Sequence, residues 1–140
     1  MKESHLYFKY DEKNGIKVPS PFNRIMTPIM TVDQTDEPIP FSIHYTEWEP
    51  GAEIDEHLHE DSTEAMFCVS GRGIVRLDGV DHEFVPESMI CALPGHTHKI
   101  TNTGTERLRV LCVFSPPVSG EKLKTRAENA VKEYWENHKE

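Results

Sequence analysis

The sequence predicts an all-β chain, a barrel or sandwich of short antiparallel strands, closed by one C-terminal α-helix. Three features point there. Short runs rich in apolar and β-branched residues recur from Asn23 to Phe114 with turn residues between them. Ten prolines and eight glycines are scattered along the 140 residues, as in turn-rich domains. A helical period begins only after Pro116-Pro117.

Residues 1–22 form a polar N-terminal arm in which Asp11-Glu12-Lys13-Asn14-Gly15 reads as a turn. With no apolar core of its own, the arm is expected to lean on the barrel or on a second subunit. The barrel is expected to span 23–117. Its strands are read as Asn23 to Thr31 (despite Pro28), Phe41 to Glu49, Glu64 to Val69, Gly73 to Leu77, Val80 to Val85, Ser88 to Ala92, His98 to Asn102 and Leu108 to Phe114. Asp78-Gly79 falls between two such runs, where a tight turn needs positive φ, and Gly71-Arg72-Gly73 and Gly104 mark further reversals. Within 118–140, Leu123, Ala127, Val131, Tyr134 and Trp135 recur at helical spacing with charges between them. That pattern describes an amphipathic helix laid on the outside of the barrel or on a partner. A chain of this length fits one domain, able to bury roughly two-thirds of its unfolded surface.

Composition excludes several functions. With 24 acidic against 15 basic side chains, a net charge of -9 and no Lys/Arg cluster, nucleic acid is not an expected partner. The longest apolar run, Val110 to Phe114, is too short to span a bilayer, and Met1-Lys2-Glu3-Ser4-His5 opens no secretory signal, so a cytoplasmic protein is expected. Cys68, Cys91 and Cys112 are odd in number and lack Cys-x-x-Cys spacing, which favours buried reduced thiols over disulfides or a zinc knuckle.

The chemistry is concentrated between Gly51 and Asn102. Alternate side chains of a strand share a face, so His57 and His59 can point into one barrel interior from a single strand, with Glu64 opening the next strand and His98 coming from another. Three imidazoles and one carboxylate suit a divalent transition metal: iron(II), manganese, nickel, cobalt or zinc. By the same alternation Met66 and Cys68 share the face of Glu64, either lining the pocket or packing the core. On the preceding strand His44, Thr46 and Trp48 form the face expected inside, making His44 and Thr46 candidate catalytic groups and Trp48 a candidate pocket residue. His96 is either a proton shuttle or substrate contact on the face of His98, or a plain loop histidine. His82 is expected in solvent, on a hairpin. Glu53, Asp55, Glu56, Glu60 and Asp61 flank the ligands, giving either an acidic mouth that favours cationic or neutral substrates or a solvated loop.

These residues resemble the cupin superfamily, whose first motif is Gly-x5-His-x-His-x(3,4)-Glu-x6-Gly. Gly51, His57, His59, Glu64 and Gly71 satisfy every spacing. The second motif, Gly-x5-Pro-x-Gly-x2-His-x3-Asn, is met at Gly95, His98 and Asn102, whereas Glu87 replaces its first glycine and Leu93 its proline. The resemblance implies a double-stranded β-helix (jelly-roll) barrel, a metal held by His57, His59, Glu64 and His98, and a homodimer.

Part of the chain is similar to ectoine synthases, small metal-dependent cupins that close a ring by eliminating water. The similarity rests on Phe41-Ser42-Ile43-His44, Glu64-Ala65-Met66-Phe67-Cys68 and Cys112-Val113-Phe114-Ser115-Pro116-Pro117. In that family a glutamate, a tyrosine and a histidine bind the metal. Glu64 and His98 match, but Ile90 stands at about the tyrosine's place, and Lys122-Leu123-Lys124 replaces the acidic tail. Shared ancestry without a shared substrate is what this implies. The function expected is a metal-dependent enzyme acting on a small molecule, as an iron(II) dioxygenase or as a Lewis-acid isomerase, lyase or cyclase. The alternative is a non-catalytic sensor or carbohydrate-binding protein of the same fold.

Overall fold

A computed structural model describes residues 6–54 and 56–138. The strands are β1 (Ile16–Val18), β2 (Arg24–Met30), β3 (Ser42–Trp48), β4 (Thr63–Ser70), β5 (Gly73–Leu77), β6 (Val80–Phe84), β7 (Met89–Ala92), β8 (His98–Asn102) and β9 (Leu108–Ser115), followed by the helix α1 (Gly120–Asn137). They form two antiparallel sheets, one of six strands in the order β1-β2-β3-β9-β4-β7 and one of three in the order β6-β5-β8. This is the double-stranded β-helix barrel with a C-terminal helix that the sequence leads one to expect.

Turn chemistry sets the register. Leu77 pairs with Val80, leaving Asp78 (φ 50°) and Gly79 (φ 81°) as a two-residue hairpin loop in which both residues are left-handed. Pro28 is tolerated because the β2–β3 register slips between Pro28 and Met30, sparing the ladder the hydrogen bond proline cannot donate. Glu87, at the place of the second motif's first glycine, has φ 72°, so a side chain occupies a backbone conformation that glycine adopts freely. The motif asparagine, Asn102, is buried and structural. Its Nδ2 donates to the carbonyls of Trp48 (3.0 Å) and Glu106 (2.8 Å), and its Oδ1 accepts from Gly104 N–H (2.9 Å).

Strand alternation builds the core between the sheets. Met66 and Cys68 from β4, Leu108, Val110 and Cys112 from β9 and Trp48 from β3 meet Val75, Phe84 and Ile100 from the smaller sheet. A second cluster lies beneath α1, where Leu123 and Ala127 cover Val18, Phe22, Met26, Phe114 and Val118. The helix is anchored at its start by Ser119, whose Oγ accepts from Lys122 N–H (3.0 Å), and by Asp33, which accepts from Gly120 N–H (3.0 Å). Trp135 lies off the buried stripe, half exposed, and donates to the Ser20 carbonyl (3.0 Å).

One expectation is met in the first of its two forms and one changes. The arm has structure of its own, because β1 pairs with β2 and Tyr10 donates to Glu47 Oε1 (2.9 Å), so it leans on the same domain. Cys68 and Cys112 are buried, but Cys91 is exposed. It alternates with Ile90 and Ala92 on β7, at the end of the six-stranded sheet, and so faces outward.

Candidate metal centre and pocket

Three parts of the chain converge on the inner face of the barrel. β4 presents Glu64 from its second position and β8 presents His98 from its first. The stretch before β4 supplies His57 and His59. It is not the regular strand expected from the alternating histidines, since among its described residues Glu53 and His57 make isolated bridges to β8 and no ladder. His57 is nevertheless held firmly: its N–H donates to the His98 carbonyl (3.1 Å) and its carbonyl accepts from His98 N–H (2.8 Å).

The four side chains lie close together. His98 Nε2 is 3.1 Å and His59 Nε2 3.5 Å from Glu64 Oε1. The His57 ring centroid is 4.2 Å from that of His98 and 5.0 Å from that of His59. One donor atom from each of the four lies within 4.8 Å of the others. In a six-coordinate transition metal site with bonds of about 2.1 Å, ligand atoms sit roughly 3 Å apart when adjacent and about 4 Å when opposite. The cluster is therefore of a size to close on one cation. Three imidazole nitrogens here, His44 Nδ1, His59 Nε2 and His98 Nδ1, are buried with no hydrogen-bond partner, a condition protein interiors rarely leave uncompensated.

Electrostatics agree with that fit. Burial alone would raise the Glu64 carboxyl, but the imidazoles of His59 and His98 and the nearby His44 outweigh it and hold the group well below the usual carboxylate range. Glu64 is thus an anion ready to bind a cation. Burial pushes the His44 imidazole down to about 4 against the pull of Glu64, so this ring is neutral near pH 7.

Sequence reasoning missed a second donor group, His44, Glu64 and Cys112, all buried and also within 4.8 Å. The register explains it: His44 on β3 and Met66 on β4 both pair with Cys112 on β9, while Glu64 pairs with Phe114. Alternation along β9 was the available signal, since Val110, Cys112 and Phe114 share a face. Burial drives the Cys112 thiol well above its ordinary value, so it enters as S–H, a weaker ligand than the free lone pair of an imidazole.

A cavity of about 330 Å³ opens from these groups, with His44, Thr46, Trp48 and Met66 among its walls. The other sequence candidates lie elsewhere. Cys68 does not line the cavity and is fully buried in the core. His96 takes the second of its two readings, the plain loop histidine: it sits in the turn before β8, where strand alternation does not extend, and its Nδ1 pairs with Asp78 on the exposed surface. The acidic run likewise takes its solvated-loop reading, because Glu56, Glu60 and Asp61 are exposed, Glu53 pairs with Lys99 (3.3 Å), and none of them lines the cavity. Asp55 lies outside the described residues. His82 is exposed, as expected. The charged lining apart from Glu64 comes from Arg24 on β2, which shares the face of Met26, and from Arg126 and Glu133 on α1, which strand periodicity could not have assigned to a pocket.

The family model described as "Cupin domain" matches residues 44–114. The L-ectoine synthase of Alkalilimnicola ehrlichii is 39% identical over 82 residues, which cover 57% of this chain and 61% of that protein. The match thus spans about three-fifths of the length of that curated relative. Among solved structures, the ectoine synthase from P. lautus superposes with a TM-score of 0.67 at 20% identity, covering 83% of this chain and 78% of that one. KdgF from Halomonas sp. superposes with a TM-score of 0.66 at 21% identity, covering 79% and 92%. At such identities these two structures speak to the fold.

Proposed function

This chain belongs to the cupin family, and from that premise we propose that it is a metal-dependent enzyme that acts on a small molecule by elimination or ring closure. The observation that carries the proposal is the convergence of His57, His59, Glu64 and His98 to within 4.8 Å at the foot of a 330 Å³ cavity. These four residues would hold a divalent transition metal, which when bound supplies Lewis acidity toward a carbonyl or carboxylate oxygen. The similarity to L-ectoine synthase favours this chemistry over oxygenation.

The chain's own groups supply the rest. Neutral, buried His44 has an unpartnered Nδ1 and fits the role of proton acceptor. Thr46 Oγ1, 3.8 Å from Cys112 Sγ, offers a hydroxyl on the same wall. Trp48 and Met66 give the cavity an apolar side that excludes water. The substrate differs from that of ectoine synthases: Ile90, at about the place of their tyrosine, packs on the core, and the extra imidazoles of His57 and His59 stand in the donor set. We further propose that two copies pair through the outer face of β4 and β7, supported by exposed Phe67, Val69 and Met89 beside the edge strand. Sedimentation as a monomer at micromolar concentration would overturn this pairing.

The enzyme proposal is tested by elemental analysis of protein purified without added metal, with turnover and dioxygen consumption followed over a panel of small carbonyl and amino compounds. About one divalent transition ion per chain and turnover without dioxygen uptake are expected. Substrate-dependent dioxygen uptake would replace the proposal with an oxygenase. Binding with no turnover would leave a non-catalytic binder.

A further inference from the structure

The wall that α1 contributes carries a cation that no ion pair among the described residues neutralises. Arg126 lines the cavity, and its Nη1 is buried with no hydrogen-bond partner. The guanidinium carbon lies 5.7 Å from the Phe114 ring centroid, and the same ring stands edge-on to His59 at 5.1 Å and stacks with His44 at 5.8 Å. Phe114 is thus in contact with Arg126, with His44 and with the proposed metal ligand His59, and joins the α1 wall to the donor cluster. No ion pair neutralises Arg126 among the described residues, and Glu133, two turns further along the helix, is exposed and makes none with it.

A guanidinium is always charged and presents parallel N–H groups that match the two oxygens of a carboxylate or phosphate. Desolvating one of its nitrogens against an aromatic ring without a partner is unfavourable unless a ligand completes the site. Packing on Phe114 by itself would be served by a side chain without a buried donor. Arg24 adds a second positive charge to the lining, and its field reaches both His44 and Cys112. With Glu64 and Glu133 also in the lining, the charged side chains balance two against two, and a divalent ion held at Glu64 would leave positive charge in excess.

We propose that Arg126 is a specificity-determining residue that holds an oxyanion of the substrate, so that the substrate is a small organic anion whose charged end rests on α1 while its reacting end faces Glu64 and the histidines. This rests on the proposed metal-dependent activity for the role of the far end of the cavity, but Arg126 itself is not a metal ligand. A volume of about 330 Å³ suits a molecule of metabolite size and leaves no room for a macromolecular anion.

The test is binding to the full chain with whatever metal it carries on purification. Butyrate, butyramide and butyl phosphate are titrated while the Arg126 Nε–Hε nuclear magnetic resonance signal is followed. The expected result is saturable binding of butyrate or butyl phosphate that shifts this signal, with butyramide at least about 10-fold weaker. Whichever anion binds tighter identifies carboxylate or phosphate as the group recognised. Arg126→Gln should weaken the anion at least about 10-fold while leaving metal content and the melting midpoint unchanged, and Arg126→Lys should restore part of the affinity through its point charge. Equal affinity for butyrate and butyramide, or undiminished anion binding by the Arg126→Gln variant, would overturn the proposal. Protein that binds the anion through Arg126 but contains no metal would refute the metal-dependent activity and leave the anion site standing.

Discussion

The two ends of the barrel are built by the same strands with the same alternation, yet their inward side chains differ in kind. Along β3 the inward series runs Trp48, Thr46, His44; along β4 it runs Cys68, Met66, Glu64; and along β9 it runs Leu108, Val110, Cys112, Phe114. Cross-strand register aligns these series, so Trp48 and Leu108 share one level while His44, Cys112 and Met66 share another. On the smaller sheet Ile100 gives way to His98 in the same direction. Each strand therefore passes from hydrocarbon to ligand within two or three inward positions. The apolar end supplies the burial that holds the polar end in place.

If that division is real, damage to the two ends should separate. The largest expected effect is at the apolar end. Phe84 is fully buried, and Phe84→Ala should cost about 3–5 kcal/mol of stability, read from urea unfolding, while the fraction still folded keeps its metal stoichiometry. A loss of metal from folded Phe84→Ala protein would show that the two ends are not separable.

At the polar end, the double substitution His57→Ala, His59→Ala should lower metal affinity by at least about 100-fold, beyond the 10- to 100-fold usual for a supporting contact. Without metal, its unfolding midpoint should match that of metal-free wild type or exceed it, because the imidazoles crowd one another there for no hydrophobic gain. Unchanged metal content by elemental analysis would remove these two residues from the site.

The roof over the polar end is α1, and it should respond to acid before the barrel does. Burial alone would raise the Asp33 carboxyl, but the Thr31 hydroxyl and the Gly120 N–H donate to it and bring it below its ordinary value. A carboxylate depressed in the folded state lends stability that is complete above its unfolded value, near 4, and is lost as pH falls through the folded value. Asp33→Asn should therefore cost up to about 1 kcal/mol at neutral pH, as a lost helix cap does, and flatten the loss of stability below about pH 4. Amide exchange in α1, measured from pH 5 down to pH 2.5, checks this. An identical acid limb in the variant would show that Asp33 is not the anchor that titrates.

What the sequence made legible follows the same division. Strand alternation and turn residues are local, so the eight strands β2 to β9, the Asp78-Gly79 hairpin and the inward face of β4 could be read before any coordinates, whereas β1, three residues inside the polar arm, could not. The spacing of His57, His59, Glu64 and His98 could be read too, although the regular strand expected under the first two could not stand. Relations between distant segments were not legible. Cys112 joins His44 only through the β3–β9 register, and Arg126 reaches the cavity only because α1 turns back over it. The helical period shows which face of α1 is apolar but not what that face covers. His96 shows the limit of the local rule, since strand alternation does not cross the turn at Gly95 and the residue is the plain loop histidine of its two readings.

Glu87 offers the smallest and sharpest test of how much the motif's glycine matters at the apolar end. It sits in the turn between β6 and β7 at φ 72°, where its N–H donates to the Cys68 carbonyl (3.0 Å) and Ser88 N–H donates to the Val85 carbonyl (3.0 Å). Those bonds, with Ser88 Oγ donating to the Val85 carbonyl (2.6 Å), hold the left-handed backbone despite a β-carbon that disfavours it by roughly 1–2 kcal/mol. Glu87→Gly removes that strain but gives the unfolded chain more freedom, which offsets part of the gain. The net expectation is a stabilisation of about 0.5–1 kcal/mol, with metal content unchanged because the turn lies at the end of β7 away from Glu64, which pairs with Ala92. A destabilised Glu87→Gly variant in urea unfolding would mean that the glutamate side chain makes up for its conformation, and that its departure from the motif is itself selected.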